Sequence, residues 1–164
     1  MNNTPESRSS RPEHVFAGKY FSAVLFLLFV IFSGIFFIHN QRKTEKIFLT
    51  LDGHVFSVEI ADTAKKIAMG LSGHQPLSSD QGMFFIFDQP DNYGFWMKDM
   101  LFSLDIIWFD SEMKIVHIER DLSPETYPAI YYPDRPSKYV LEIPAGISDK
   151  YGFKIGDYAK FSEI

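Results

Sequence analysis

The chain has 164 residues, a net charge of −5 and no cysteine. This length allows one domain of ordinary size plus a terminal extension, and the lack of cysteine excludes disulfides, thiolate zinc sites and a lipoprotein anchor. The charge is unevenly divided, because residues 45–164 carry 11 basic and 19 acidic residues, a net charge of −8. Such an acidic region is a poor partner for nucleic acid.

The N-terminal part predicts a single membrane-spanning helix at residues 20–38. This segment contains no charged residue, and as a helix it would extend about 28 Å at roughly 1.5 Å per residue, close to the hydrocarbon thickness of a bilayer. A buried core helix is the alternative interpretation. The apolar run is too long for a cleaved secretory signal, so we expect an uncleaved anchor, preceded by a disordered basic tail at 1–19 and followed by a linker at 39–45.

Flanking charges do not decide the orientation of this anchor. Three basic residues precede it and three follow it, namely Arg8, Arg11 and Lys19, then Arg42, Lys43 and Lys46, so the positive-inside rule gives a tie. A short basic tail ahead of a single early span is typical of a signal anchor, and that tail suits anionic lipid headgroups. We therefore expect a single-pass membrane protein with an extracytoplasmic C-terminal domain at the cell envelope.

Residues 46–164 alternate between apolar and polar positions, which predicts an all-β domain. Asp52-Gly53 separates two such segments and is typical of a β-hairpin turn. Ala64, Ile67, Ala68 and Leu71 have helical spacing and predict one short helix. Further strands are predicted at 83–87, 94–97, 104–109, 114–118, 139–143 and 157–161. Together these elements predict a mainly antiparallel jelly-roll-like sandwich or barrel with one or two short helices.

A proline-rich stretch at 120–138 interrupts the strands. Its four prolines prevent a central strand, and the segment is long for a connection. Tyr131 and Tyr132 lie within it. Two interpretations stay open, a loop whose tyrosines only cover the mouth of the barrel, or a lid that contacts a ligand.

Three charged residues lie within strongly apolar strands. Asp105 would point to the same side as Ile107, and Glu142 is placed between Leu141 and Ile143. Lys98 would share a face with Trp96 if its strand is extended. Because an unpaired buried charge is costly, these groups should satisfy one another, bond to the backbone, or line a site.

Three functional hypotheses follow from these charges, and one is a purely structural role in which an internal network of the charged groups fixes the strand register. In an envelope hydrolase acting on a saccharide or similar polymer, paired carboxylates would serve as acid and base, with Asp105, Glu142 and Asp99 as the catalytic candidates. In a noncatalytic domain, the same surface would bind a small molecule, an envelope polymer or a membrane protein. The candidate binding residues are Trp96, Lys98, Asp105, Glu142, Tyr131 and Tyr132. His54, His74 and His117 lack metal-ligand spacing, so we expect no metal and no cofactor.

Four segments, AKKIAMGLSGHQPLSSDQGMFFIF, YGFWMKDMLFSLDIIWFD, KYVLEIPAG and GFKIGD, resemble in order and spacing the blocks of the bacterial and archaeal family called domain of unknown function 192. The resemblance covers about residues 47–161. It implies a compact all-β, jelly-roll-like domain, often secreted or anchored, and no established activity, cofactor or substrate. Family members usually carry arginine at the positions of Ile67 and His74, methionine at Ser72, asparagine at Asp99 and proline at Ser103.

The resemblance and the residues together favour a noncatalytic role over an enzyme. We expect a membrane-anchored domain, residues 46–164, that binds a ligand or takes part in envelope assembly. The absence of two family arginines near the predicted helix argues against an anion site there.

Overall fold

The computed structural model describes residues 23–33 and 47–162, and the chain divides into two compact units, Met1–Lys43 and Thr44–Ile164. In the first unit, residues 23–33 form helix α1, whose side chains are exposed. No helix among the described residues is long and apolar enough to cross a membrane. The predicted span at 20–38 continues beyond α1 at both ends, outside the described residues, and therefore stays a prediction. The tail at 1–19 and the linker at 39–45 also lie outside them.

Residues 47–162 are mostly β structure with few short helices, as predicted. The strands are β1 (Ile47–Leu51), β2 (His54–Ala61), β3 (Gln81–Asp91), β4 (Phe95–Trp96), β5 (Leu104–Phe109), β6 (Ile115–Leu122), β7 (Ile130–Tyr131), β8 (Ser137–Pro144) and β9 (Ala159–Ser162). Helix α2 spans Ala64–Met69, helix α3 spans Ile147–Tyr151, and Pro124–Thr126 forms a 3-10 turn. The Thr63 hydroxyl caps α2 by accepting a hydrogen bond from the Lys66 N–H, which satisfies one of the free donors of the first turn.

Seven strands form one curled sheet in the order β6-β5-β8-β3-β2-β1-β9. The predicted hairpin of β1 and β2 is present, with Asp52 and Gly53 at positive φ angles of 45° and 81°. Strands β2 and β3, however, pair in parallel. The prediction of a mainly antiparallel sheet is corrected to a mixed sheet, because the chain between these strands crosses over through α2 and returns in the same direction.

The two edges of the sheet approach each other at one end. Lys114, just before β6, forms a bridge with Tyr158, just before β9. The Ile115 N–H also donates to the Asp157 carbonyl oxygen at 2.8 Å. The sheet therefore curls into a half-barrel rather than the sandwich that was one of the predicted alternatives.

Side chains from alternate strand positions form a core on each face of the sheet. The first face carries Phe84, Ile107, Phe109, Leu141 and Ile143, and helix α3 packs on it through Ile147. The second face carries Met83, Phe85, Ile106, Trp108 and Val140. It is covered by the turn after α2 and by the small sheet in which β4 pairs with β7.

At Gly82, strand β3 lies close to the backbone of β8. A Cβ atom there would lie 2.6 Å from the Glu142 carbonyl oxygen, which is backbone and therefore cannot move aside. We expect Gly82→Ala to lower the free energy of unfolding by about 2 kcal/mol, as overpacked sites do. Urea denaturation of the variant would measure this effect. Gln89→Ala, on an exposed part of the same strand, is the control, and an unchanged midpoint for Gly82→Ala would contradict the prediction.

Candidate functional site

A groove with a volume of about 230 Å³ opens on the second face of the sheet. One wall is α2 and the turn after it, including Ile67, Gly70 and Ser72. The other wall is the chain leading into β4. The Ser72 hydroxyl joins the first wall to the turn that follows β4, because it donates to the Lys98 carbonyl oxygen at 2.9 Å. The groove is thus formed by segments that meet only in the folded domain.

Five aromatic side chains line the groove, namely Phe85, Phe87, Tyr93, Phe95 and Trp96. Phe87 and Tyr93 stack with ring centres 3.5 Å apart, and Phe95 meets the Phe85 ring edge to face at 4.9 Å. The Tyr93 hydroxyl donates to the Gln89 carbonyl oxygen at 2.7 Å. These contacts hold the rings in fixed positions, so the aromatic wall is preformed. Trp96 also lines the groove and is half exposed.

The Trp108 side chain supports this wall from beneath. Its indole N–H donates to the Tyr93 carbonyl oxygen at 3.0 Å, and its ring lies edge to face with Phe95 at 5.7 Å. Trp108 itself is fully buried. A buried indole N–H needs a partner, so this bond both satisfies Trp108 and fixes the backbone at Tyr93.

Glu142 lies in the groove lining and belongs to β8, between β3 and β5 in the centre of the sheet. Its side chain is 4% exposed. Among the described residues, its Oε2 atom is buried and has no hydrogen-bond partner. Burial raises the pKa of this carboxyl group from 4.5 to about 8, because a low-dielectric site disfavours the charged form. Glu142 is therefore mostly protonated at neutral pH.

Gly70 leaves room above this carboxyl group. A Cβ atom at Gly70 would lie 3.8 Å from Glu142 Oε2 and 3.6 Å from the Phe85 ring. The φ angle of Gly70 is +52°, a region that L side chains rarely adopt. A glycine at this position therefore both ends α2 and keeps the base of the groove open.

Asp105 lies away from the groove, in a buried position where backbone N–H groups bind its carboxylate. By strand alternation it faces the first side of the sheet, and it is fully buried. Its carboxylate accepts hydrogen bonds from the backbone N–H groups of Asp121 at 2.9 Å, Gly146 at 3.1 Å and Ser148 at 2.7 Å. The predicted bond network between a carboxylate and the backbone is therefore present. A sealed and fully bonded carboxylate cannot reach a substrate, so the hydrolase hypothesis that pairs Asp105 with Glu142 is wrong.

Lys98 and Asp99 do not join the buried network. Strand β4 ends at Trp96, and both residues lie in the exposed turn after it. Asp99 has a φ angle of 55°, and its carbonyl oxygen accepts from the Gly73 N–H at 2.9 Å. The condition under which Lys98 would share a face with Trp96, an extended strand through Lys98, is therefore not met.

The two candidate tyrosines lie behind the groove. Tyr131 is half-buried and pairs with Phe95 across the small sheet. Tyr132 is exposed, and a Cβ atom at Gly94 would lie 2.6 Å from its ring, so this ring packs on a residue that lines the groove. The proline-rich stretch thus supports one wall through β7 and Tyr132.

Few titratable groups line the groove. Its lining includes no Lys, Arg or His, and Glu142 and Tyr93 are its titratable residues. The pKa of Tyr93 is raised by burial and by the negative charges of Asp91 and Asp88. In the part of the chain that the structure describes, no group of three His, Cys, Asp or Glu side chains could hold a metal ion.

His117, one of the scattered histidines, has its own partners. Its Nε2 lies 3.1 Å from Glu119 Oε1 and its Nδ1 lies 3.0 Å from Asp134 Oδ2. Both ring nitrogens are therefore occupied by carboxylates. The contact ties β6 to the loop that precedes β8.

Of the predicted binding residues, Trp96 and Glu142 line one groove, whereas Lys98 and Asp105 lie elsewhere. Phe85 and Phe87 also line the groove and were not among the predicted binding residues. Strand alternation places Phe85 and Phe87 on the same face as Met83, but the pairing of Met83 with Glu142, which brings that face to the groove, is seen only in the structure.

Comparison with known proteins places this fold among uncharacterised families. The family model DUF192, described as Uncharacterized ACR, matches residues 47–161. A UPF0127 protein of Thermococcus sibiricus is 33% identical over 104 residues, which cover 61% of this chain and 62% of the relative. A UPF0127 protein of Pyrococcus abyssi is 35% identical over 105 residues, covering 61% of this chain and 81% of the relative.

Two crystal structures are similar to this chain. One is a protein of unknown function from Novosphingobium aromaticivorans, with a TM-score of 0.66 and 31% identity over 70% of this chain and 84% of the other. The second is a candidate transcription regulator from Sinorhizobium meliloti, with a TM-score of 0.65 and 28% identity over 70% of this chain and 91% of the other.

Proposed function

Since the chain belongs to the DUF192 family of uncharacterised proteins, we propose that its molecular function is noncatalytic binding of a small organic ligand in the groove over Glu142. The observation that carries this proposal is the buried Glu142 Oε2, which has no hydrogen-bond partner among the described residues. A buried polar atom without a partner destabilises the folded protein. A ligand that binds the Glu142 carboxyl group from the groove gives this cost a functional reason.

The size and the lining of the groove suit a small ligand. Binding sites for small molecules are concave, mostly apolar and equipped with a few polar groups. Here the walls are rings held by stacking and hydrogen bonds, and one carboxyl group lies at the base. The volume of about 230 Å³ suits a ligand or side chain with one ring. A preformed wall also reduces the entropy lost on binding.

The single carboxyl group is the reason to favour binding over hydrolysis. Hydrolysis by paired carboxylates needs a second such group within several ångströms. Glu142 is the one carboxyl group among the residues that line the groove, and the carboxylate of Asp105 is sealed on the opposite face. Asp99, the remaining candidate, does not line the groove.

We also propose that the domain works at a membrane surface on the extracytoplasmic side. The support for this location is the uncharged segment at 20–38 and its basic flanks. An envelope polymer or a membrane protein that inserts one side chain into the groove would then be a natural partner. The net charge of −8 on residues 45–164 argues against nucleic acid as that partner.

Filling the groove should abolish binding. Ala68 lines the groove on α2 and is exposed, so Ala68→Trp is expected to weaken binding of a one-ring probe such as 2-phenylethanol or 2-phenylethylamine at least tenfold. Amide chemical shifts of Gly70, Ser72 and Gly94 during titration of the labelled protein would measure this. Ala64→Trp, on the same helix but outside the groove, is the matched control. Equal binding by both variants would contradict the proposal.

A further inference from the structure

We propose that the ligand of this groove is an organic cation, a protonated amine carried next to an aromatic or aliphatic group, whose ammonium pairs with the Glu142 carboxylate. This inference rests on the proposed binding function and deepens it by naming the class of ligand. It follows from the charge, the hydrogen bonding and the aromatic lining of the groove.

The lack of basic side chains in the groove lining disfavours anionic ligands. No basic side chain lines it, so the carboxylate of a ligand would face Glu142 without a counter-charge. Glu142 instead provides the counter-charge for a cation. The nearby acidic residues Asp88 and Asp91, on the exposed end of β3, add negative potential at Tyr93, and the net charge of −8 on residues 45–164 would attract cations over a longer range.

The free hydrogen-bonding capacity of Glu142 and the aromatic rings of the groove also favour an organic cation as the ligand. Glu142 Oε2 has no partner among the described residues, and an ammonium offers up to three N–H donors. The faces of aromatic rings attract cations within about 6 Å of the ring centre, most strongly when water is excluded. Phe85, Phe95 and Trp96 supply aromatic rings in the same groove as Glu142. A neutral ligand would use the rings alone.

Binding exchanges one proton for the ligand. In the free protein Glu142 carries a proton at neutral pH, because burial raises its pKa to about 8. When R–NH3⁺ enters, the carboxyl O–H bond breaks, the proton passes to solvent, and the carboxylate accepts an N–H bond from the ammonium. No oxidant or further reactant is needed. The ligand replaces a proton, so its affinity must depend on pH.

Other charged groups around Glu142 do not offer an internal cation. On α2, the Lys66 ammonium donates to the Ile60 carbonyl oxygen at 2.8 Å, and Lys65 is exposed. Lys98 and Asp99 lie in the exposed turn after β4. On β5, Asp105 faces the opposite side of the sheet. Glu142 is therefore the group whose titration should control the pH dependence of binding.

The test uses the full-length chain and two probes of matched shape. One is 2-phenylethylamine, which stays protonated up to pH 8, and the other is 2-phenylethanol, which is neutral. Calorimetry at pH 6, 7 and 8 gives the affinities. For the amine we expect a rise of roughly fifty-fold from pH 6 to pH 8, set by the ionised fraction of a carboxyl group with a pKa of about 8. At pH 7, titration in two buffers of different ionisation enthalpy should show release of nearly one proton per ligand.

Glu142→Gln is the decisive variant, because it keeps the shape of the side chain and removes its charge. It should lose the pH dependence for the amine and should no longer bind the amine more tightly than the alcohol at pH 8. Glu112→Gln, at an exposed position, is the control and should change neither.

The outcomes separate this inference from the proposed function. If amine and alcohol bind equally at every pH, and Ala68→Trp abolishes both, the groove binds ligands but the cation assignment is overturned. A stronger affinity for the alcohol, falling as pH rises, would mean that protonated Glu142 donates to the ligand, and would overturn it as well. If neither probe binds at any pH, both the cation assignment and the proposed binding function fail.

Discussion

Replacing Asp105 by alanine is expected to lower the free energy of unfolding by about 3 to 5 kcal/mol, enough to unfold many domains of this size. The carboxylate accepts backbone N–H bonds from Asp121, Gly146 and Ser148 in a fully buried position. Alanine would remove the acceptor of all three bonds, of which the one from Ser148 is buried and the other two are partly buried. An unsatisfied buried donor costs about 1 to 3 kcal/mol. Urea denaturation followed by circular dichroism would measure the loss.

A second substitution keeps this prediction testable if the alanine variant does not fold. Asp105→Asn retains one acceptor oxygen but turns an amide N–H₂ towards at least one backbone donor, so we expect an intermediate loss. Asp149→Ala is the control, because its ion pair with Arg120 at 2.8 Å is largely exposed and exposed pairs contribute at most about 1 kcal/mol. If Asp105→Ala were no more destabilising than Asp149→Ala, the structural role of Asp105 would be wrong.

Asp105 also shows how far sequence reasoning reaches. Strand alternation placed it among apolar residues, and burial follows directly from that pattern. Its partners could not be predicted in the same way. Gly146 and Ser148 lie at the start of α3, and Asp121 lies near the end of β6, so they meet Asp105 only after the strands have paired. The local sequence pattern predicts whether a residue is buried, whereas its hydrogen-bond partners depend on the tertiary structure.

The sheet illustrates the same limit. Alternation predicted most of the strands, and Asp52-Gly53 predicted the first hairpin, because these depend on neighbouring residues. The parallel pairing of β2 and β3 was missed. It depends on where the chain returns after α2, and nothing in the strand residues themselves fixes that direction.

The candidate site was predicted in part for a similar reason. Trp96 and Glu142 were named from composition and position, and the structure places both in the groove lining. Lys98 was placed wrongly, because a strand of two residues, β4, looks in sequence like a longer one. Ile67 and Ser72, two positions at which the sequence departs from the family pattern, also line the groove, so relatives of this chain need not share its ligand.

Glu142→Gln is expected to remove the loss of stability that Glu142 causes as the pH rises. Folding raises the pKa of Glu142 from 4.5 to about 8, so between these values the native state holds a proton that the unfolded chain has released. Stability from this group is therefore fully present below pH 4.5 and is lost as the pH rises towards 8, at about 1.4 kcal/mol per pH unit. Between pH 5 and pH 8 the wild type should lose roughly 3 to 4 kcal/mol relative to the glutamine variant.

Urea denaturation of both proteins at pH 5, 6, 7 and 8 would measure this difference, since other titrating groups affect both equally. Glu112→Gln, at an exposed position, should follow the wild type throughout. A constant difference between wild type and Glu142→Gln at all four pH values would show that Glu142 does not change its protonation on folding in the predicted way.

The stability and binding predictions for Glu142 constrain each other. The pH range in which the ionised carboxyl group destabilises the fold is the range in which affinity for a cation should rise, because both depend on the same proton. A variant that is more stable at pH 8 and no longer prefers the amine would mean that the buried acid lowers stability in return for recognition, as binding sites commonly do. If the variant were more stable at pH 8 but still bound the amine as wild type does, Glu142 would lower the stability of the fold without taking part in binding.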